Sequence, residues 1–146
     1  WLRSSTRCAS VARARRMPEE IHGMVIDHVG FNVSDLDAMK AFLVRALQPL
    51  GMSILKEGPG WAMVGRQGEG EFWFGSYGPP ASSIHVAFSA RSREEVRQFH
   101  AAALAASGKD NGAPGQRPKY QPDYYGAFVI GPDGHNFEAV CHRPEP

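Results

Sequence analysis

The sequence predicts an α+β fold of two tandem β-α-β-β-β modules, and three observations carry that prediction. The stretch 25–33 returns 57 positions on, so that His28 falls on His85, Val29 on Val86 and Phe31 on Phe88. The same offset carries Phe42 to Phe99, Ala46 to Ala103, Leu47 to Leu104 and Gly51 to Gly108. Seven identities at one spacing mark an internal repeat. In each copy a two-residue alternation gives way to a helical stripe, and three short extended runs follow the stripe.

The first module is expected over residues 24–77. Its opening strand alternates, with Val25, Val29, Phe31 and Val33 on one face and Ile26, His28, Gly30 and Asn32 on the other. Ser34 is placed to cap the following helix, with Asp37 three residues on as in a capping box. Leu36, Met39, Phe42, Leu43, Ala46 and Leu47 then form one apolar stripe, which Pro49 and Gly51 end. Three extended runs, 52–57, 61–66 and 71–76, are separated by Gly-Pro-Gly and Gly-Glu-Gly turns.

The second module, expected over residues 83–142, copies the design, and the two modules together make one domain. Ile84, Val86, Phe88 and Ala90 share one face of its first strand; Ser83, His85, Ala87 and Ser89 share the other. Ser92 caps the helix, Glu95 completes the box, and Val96, Phe99, Ala103 and Leu104 make the stripe. The first extended run, near 109–111, is poor and gives way to a loop expected over 112–123 with Pro114, Pro118 and Pro122. Runs at 124–130 and 135–142 complete the module around the turn Gly131-Pro132-Asp133-Gly134.

Length and composition fit this plan. A chain of 146 residues can bury one proper core. No apolar run approaches the roughly 20 residues of a membrane span. Cys8 and Cys141 make no disulfide framework, so a reducing, cytoplasmic setting is expected. Residues 1–23 lie outside the repeat, and five arginines, Arg3, Arg7, Arg13, Arg15 and Arg16, all precede Met17 with no acid before that residue. They read as an N-terminal extension upstream of a start at Met17 or Met24, with a targeting peptide as the alternative and a short helix over 11–17. Without those five arginines the chain has 11 basic and 15 acidic residues, a balance that argues against a nucleic acid partner.

Three residues on the polar strand faces can do chemistry together. In the closing strands Phe72 and Phe74 match Phe137 and Ala139 at an offset of 65, which pairs Trp73 with Glu138. A carboxylate between apolar neighbours is costly unless something pairs with it. Two histidines at equivalent strand positions and one glutamate suit a divalent transition metal with open positions, so His28, His85 and Glu138 are the candidate ligands. Asn32, beside His28 on the same face, is a candidate for contact with a ligand, and Trp73 for a wall.

The residues Ile26-Asp27-His28-Val29, Val33-Ser34-Asp35-Leu36 and Leu47-Gln48-Pro49-Leu50-Gly51 resemble the opening of the vicinal oxygen chelate superfamily. That group includes glyoxalase I, fosfomycin-resistance thiol transferases, methylmalonyl-CoA epimerase, extradiol dioxygenases and bleomycin-resistance proteins. Pro132-Asp133-Gly134-His135-Asn136-Phe137-Glu138 is similar to its closing strand. The resemblance implies a curved mixed sheet around a cavity, the glyoxalase/bleomycin-resistance/dioxygenase fold. It implies metal ligands at His28, His85 and Glu138, and a homodimer in which the site is built either within one chain or across the two. A fourth ligand, the glutamate of glyoxalase I, falls on or beside Trp73, which can neither bind a metal nor act as a carboxylate base. A standard glyoxalase I reaction is therefore not expected.

The loop after the second helix is the other candidate site. Arg117, Lys119, Tyr120, Tyr124 and Tyr125 lie within nine residues. The cations suit an anionic substrate, and Tyr124 or Tyr125 suits proton transfer. Two functions are expected from these residues. One is a metal-dependent enzyme, of isomerase, lyase, epimerase, transferase or dioxygenase type, acting on a small oxygen-rich substrate with Zn, Mn, Fe, Ni or Co. The other is a metal-free protein that sequesters a small flat compound.

Overall fold

The computed structural model describes residues 28–67 and 69–144. The extension 1–23, the short helix expected over 11–17 and the opening residues 25–27 of the first strand lie outside the described residues. The first module comprises β1 (Val29–Asn32), α1 (Leu36–Leu47), β2 (Ser53–Gly58), β3 (Trp61–Arg66) and β4 (Glu69–Gly75). The second comprises β5 (His85–Ser89), α2 (Arg93–Ala105), β6 (Lys109–Gln116), β7 (Tyr125–Ile130) and β8 (Asn136–Cys141). Each module is therefore β-α-β-β-β, and the chain has the expected α+β fold.

The strands form two four-stranded mixed sheets, in the orders β1-β4-β3-β2 and β5-β8-β7-β6. In each, the first strand runs parallel to the last because the helix carries the chain back, while the remaining pairs are antiparallel hairpins. The registers repeat as the sequence does. Val29 pairs with Phe72 and Val86 with Phe137; Phe31 pairs with Phe74 and Phe88 with Ala139.

Alternation decides which face each strand buries. Phe72, Phe74, Phe88 and Phe137 all turn into one core, with Phe72 and Phe88 ring centres 5.6 Å apart across the two modules. Each such burial contributes about 1.5–3 kcal/mol, so a one-residue slip in either sheet is strongly disfavoured. The helices close this layer. Met39, Phe42, Leu43, Ala46 and Leu47 of α1 and Val96, Phe99 and Ala103 of α2 are buried. Phe42 reaches Phe137 of the other module at 5.6 Å, and α1 packs on α2.

Three local expectations are corrected. Asp35, not Ser34, caps α1, accepting the Ala38 N–H at 2.9 Å. The Ser34 hydroxyl is taken by Asp133, 99 residues on, whose carboxylate also accepts the Ser34 N–H at 2.8 Å. Leu104 closes the α2 stripe in sequence but is 37% exposed, while Ala103 beside it is buried. The loop expected over 112–123 begins as strand, since β6 runs to Gln116 through Pro114. β6 pairs only with β7 and shifts register at Asp110/Gly112 and again at Gly112/Gly115. An edge strand with bulges tolerates a residue without an N–H.

Candidate functional site

The helix-free face of β8 carries Asn136, Glu138 and Val140, since Phe137, Ala139 and Cys141 turn into the core. Glu138 is nonetheless only 2% exposed. Its neighbours explain how a carboxylate is kept there. Ala87 of β5 and Phe128 of β7 stand opposite it, one small enough to admit it and the other covering it. His85 Nε2 lies 3.0 Å from Oε2, and the Tyr124 hydroxyl donates to Oε1 at 2.5 Å. Both carboxylate oxygens are thus engaged, as a buried charge requires.

Gly126 makes this arrangement possible. A Cβ there would sit 2.8 Å from Oε1 of Glu138 and 3.1 Å from the Tyr124 ring. Burial, and then the hydrogen bond to Glu138, raise the Tyr124 pKa above the usual phenol value. Asn136 Nδ2 donates to His85 Nδ1 at 2.6 Å, and Asn111 Nδ2 of β6 donates to Asn136 Oδ1 at 3.2 Å.

A pocket of about 410 Å³ opens beside this network, lined by His85, Asn111, Arg117, Tyr120, Phe128 and Asn136. Arg117 lies 5.7 Å over the Phe128 ring and donates to the Ala113 carbonyl at 2.8 Å. Tyr120 packs edge-on to Tyr124 at 5.2 Å. A larger hollow, about 480 Å³, lies on the helix side between α1 and the Pro132–Gly134 turn. Its charged side chains are two exposed cations, Arg45 and Lys109, with no acid or base converging on them. The chemistry converges at the smaller pocket.

The first module presents a different face. His28 is exposed just before β1, and Asn32 ends that strand half-buried. Between them the Trp73 indole lies across Gly30, where a Cβ would come within 2.2 Å of the ring. Trp73 pairs with Gly30 and with Met63 in the sheet.

The candidate residues therefore fall into groups. His85, Glu138, Tyr124 and Arg117 are gathered around one pocket. Among the described residues no three His, Cys, Asp or Glu side chains stand close enough to hold one ion, so His28 does not join His85 and Glu138 within the chain. Trp73 and Asn32 lie with His28 on the first sheet. Lys119 is exposed in the turn after β6 and does not line the pocket. Tyr125 is corrected: it is in phase with the core residues Ala127 and Val129, so its ring faces α2 under Arg93 at 5.1 Å and Arg97 at 5.9 Å. Asn111, Asn136, Gly126 and Phe128 were not singled out for the site by the sequence. Asn136 carried a signal, since it shares the strand face of Glu138 two residues on; the others depend on strand pairings that no local pattern announces.

The donor set can be tested against a divalent ion. Two donors each about 2.1 Å from one ion at a right angle stand about 3.0 Å apart. His85 Nε2 and Glu138 Oε2 are 3.0 Å apart, so the pair fits two adjacent ligand positions, and a third protein ligand must come from elsewhere.

Comparison with known proteins follows the same lines. The family model described as the Glyoxalase/Bleomycin resistance protein/Dioxygenase superfamily matches residues 25–139. A glyoxalase/bleomycin resistance protein from Albidiferax ferrireducens is similar in structure, with a TM-score of 0.70 and 28% identity over 83% of this chain and 100% of that one. A glyoxalase/bleomycin resistance protein/dioxygenase family enzyme from Burkholderia phytofirmans shares the fold at a TM-score of 0.62 and 18% identity, over 80% of this chain and 98% of that one. So does a lactoylglutathione lyase from Agrobacterium tumefaciens, at 0.60 and 16% over 82% of this chain and 95% of that one. No curated protein matches the chain.

Proposed function

The chain belongs to the glyoxalase/bleomycin resistance protein/dioxygenase superfamily, and on that premise we propose that it is a divalent-metal-dependent enzyme acting on a small, oxygen-rich, anionic substrate. His85 and Glu138 of one copy would hold the ion, and His28 of a second copy in a homodimer would complete the set. The observation that carries this reading is the 3.0 Å separation of His85 Nε2 and Glu138 Oε2 around a carboxylate that is almost wholly buried. When bound, the ion supplies Lewis acidity toward two substrate oxygens and steadies negative charge that develops on them.

The chain's own side chains support the rest. Arg117 sets a cation at the pocket rim, where a substrate carboxylate or phosphate would meet it. Phe128 supplies an apolar floor, and Trp73 of the second copy, on the same sheet face as its His28, would supply a wall. Tyr124 keeps its proton, because burial and Glu138 both oppose the phenolate. Its one hydrogen goes to Glu138, so it steadies the carboxylate that would hold the ion rather than acting as a base. Nothing carboxylic stands at the position of Trp73, which separates this chemistry from a proton shuttle between two glutamates. A reducing, cytoplasmic setting accords with a buried Cys141 thiol.

The test is metal analysis of the protein purified without a polyhistidine tag. Wild type should retain or take up about one divalent ion per chain, and Glu138→Gln should lose at least tenfold in affinity because the neutral amide no longer offsets the cation. Uptake unaffected by Glu138→Gln, or no uptake at all, would overturn the reading. Trp73 favours one second reading, a metal-free protein that sequesters a flat compound against the indole. Ligand-induced quenching of Trp73 fluorescence in chelator-treated protein would single it out.

A further inference from the structure

We propose that Asn136, braced by Asn111, is a positioning residue that sets which nitrogen of His85 carries the proton. The proposal deepens the metal reading above, but its first half stands without any ion. His85 Nδ1 lies 2.6 Å from Asn136 Nδ2, and an amide nitrogen can only donate. Nδ1 therefore accepts, and a neutral imidazole that accepts at Nδ1 carries its hydrogen on Nε2. That hydrogen points at Oε2 of Glu138, 3.0 Å away. In this state His85 is a donor to the carboxylate, and its Nε2 lone pair is unavailable to an ion.

The Asn136 amide is not free to choose its orientation alone. Its Oδ1 accepts from Asn111 Nδ2 at 3.2 Å, which fixes its Nδ2 toward His85. If both amides turn over together, every bond re-forms in reverse. Asn136 Oδ1 accepts from a proton on His85 Nδ1, and Asn136 Nδ2 donates to Asn111 Oδ1. Asn111 is exposed on the bulged edge strand β6, so its half-turn meets little resistance. The network thus has two fully bonded states of opposite polarity. The second leaves a bare Nε2 facing a bare carboxylate oxygen, which is unfavourable alone and favourable with a cation between them. A divalent ion selects it by differential affinity. Histidines that bind metals usually donate their second ring N–H to an oxygen acceptor, which the turned-over amide provides.

The experiment reads the tautomer directly, by two-bond imidazole couplings in ¹⁵N-labelled protein. Metal-free wild type is expected to show His85 protonated at Nε2. Asn136→Asp, which can only accept, should show Nδ1 protonated before any metal is added, and should bind zinc about tenfold more tightly. Asn111→Leu removes the brace without touching His85 and should give a mixture of both forms; it also serves if Asn136→Asp fails to fold. A wild-type His85 protonated at Nδ1, or a pattern that neither variant changes, would overturn the proposal. The two expected shifts without any response to zinc would uphold the Asn136 relay and remove the metal reading alone.

Discussion

Trp73 stands in the first module at the place Glu138 holds in the second. Trp73 pairs with Gly30 in the β1–β4 ladder as Glu138 pairs with Ala87 in the β5–β8 ladder. Both side chains leave the helix-free face of their sheets, and each lies beside a small residue that gives it room. The two modules share a scaffold but differ in chemistry at the same spot, a carboxylate in one and an indole lying across a glycine in the other.

Trp73→Glu should therefore bring a second carboxylate to the face of the first sheet that carries His28, which the proposed dimer sets against Glu138 of a second copy. Zinc affinity measured by calorimetry should rise at least tenfold. Urea unfolding should register a loss of about 2–4 kcal/mol, because Gly30 and Met63 lose the ring that covers them. An unchanged affinity would separate Trp73 from the ion altogether.

The fold was legible because each strand has one apolar face and the repeat gives each strand twice. Even the correspondence of Trp73 with Glu138 follows from adding the loop insertion to the offset. What was not legible depends on partners distant in sequence. Ser34 reads as a cap, but Asp133 takes its hydroxyl from the far end of the chain. Lys109–Gln116 is too rich in glycine and proline to read as a strand, and forms because β7 templates one side of it. Tyr125 sits next to Tyr124, yet neighbours in a strand point to opposite faces. Alternation from Ala127 and Val129 already placed Tyr125 against the helix. The ring of amides around His85 needed the pairings of β6, β7 and β8 before it could be seen.

Gly126 gives a sharper test of the buried carboxylate. Gly126→Ala places a methyl 2.8 Å from Glu138 Oε1, so the carboxylate or the Tyr124 ring must shift. Overpacking of this kind costs about 1–3 kcal/mol, and the Tyr124–Glu138 hydrogen bond should be lost. Thermal unfolding reads the first effect. The second should appear as a fall in the Tyr124 pKa, because the phenol loses the contact that opposes its ionisation.

The Asp133–Ser34 contact ties the turn before β8 to the start of α1. Burial alone would raise the Asp133 pKa, but the two bonds from Ser34 and the nearby His135 hold it below the usual carboxylate value. Asp133→Ala removes two charge-assisted bonds and should lower stability by about 1.5–3 kcal/mol in urea. The wild-type advantage should be constant near neutrality and disappear as pH falls through the carboxylate range, since the folded state binds this proton less readily than the unfolded one.

His135 predicts a second, earlier loss in acid. The side chain is wholly buried, edge-on to Phe31 at 4.9 Å, with Nδ1 accepting from the Ile84 N–H at 3.3 Å and Nε2 without a partner. Burial lowers its pKa below the ordinary 6.5, although Asp133 acts the other way. The unfolded chain therefore binds this proton first, and stability should decline as pH drops below about 6.5. His135→Gln should flatten that part of the profile between about pH 7.5 and 5.5, whatever its stability at neutrality. A variant that keeps the full wild-type slope would assign the acid sensitivity to other histidines.

The last prediction concerns where His28 acts. Among the described residues it belongs to no three-ligand group within the chain, and the proposed site places it against His85 and Glu138 of a second copy. Sedimentation should then show a dimer at micromolar concentration, and His28→Ala and Glu138→Gln should each abolish tight zinc binding. Mixing the two variants and allowing the subunits to exchange offers a more specific outcome. Half of the dimers will be mixed. Each mixed dimer joins the intact His28 of one chain to the intact Glu138 of the other at one of its two sites. Zinc capacity should recover to about a quarter of the wild-type value, by counting alone. A site built within one chain gives no recovery, because neither variant carries both ligands. A monomer would make the complementation impossible.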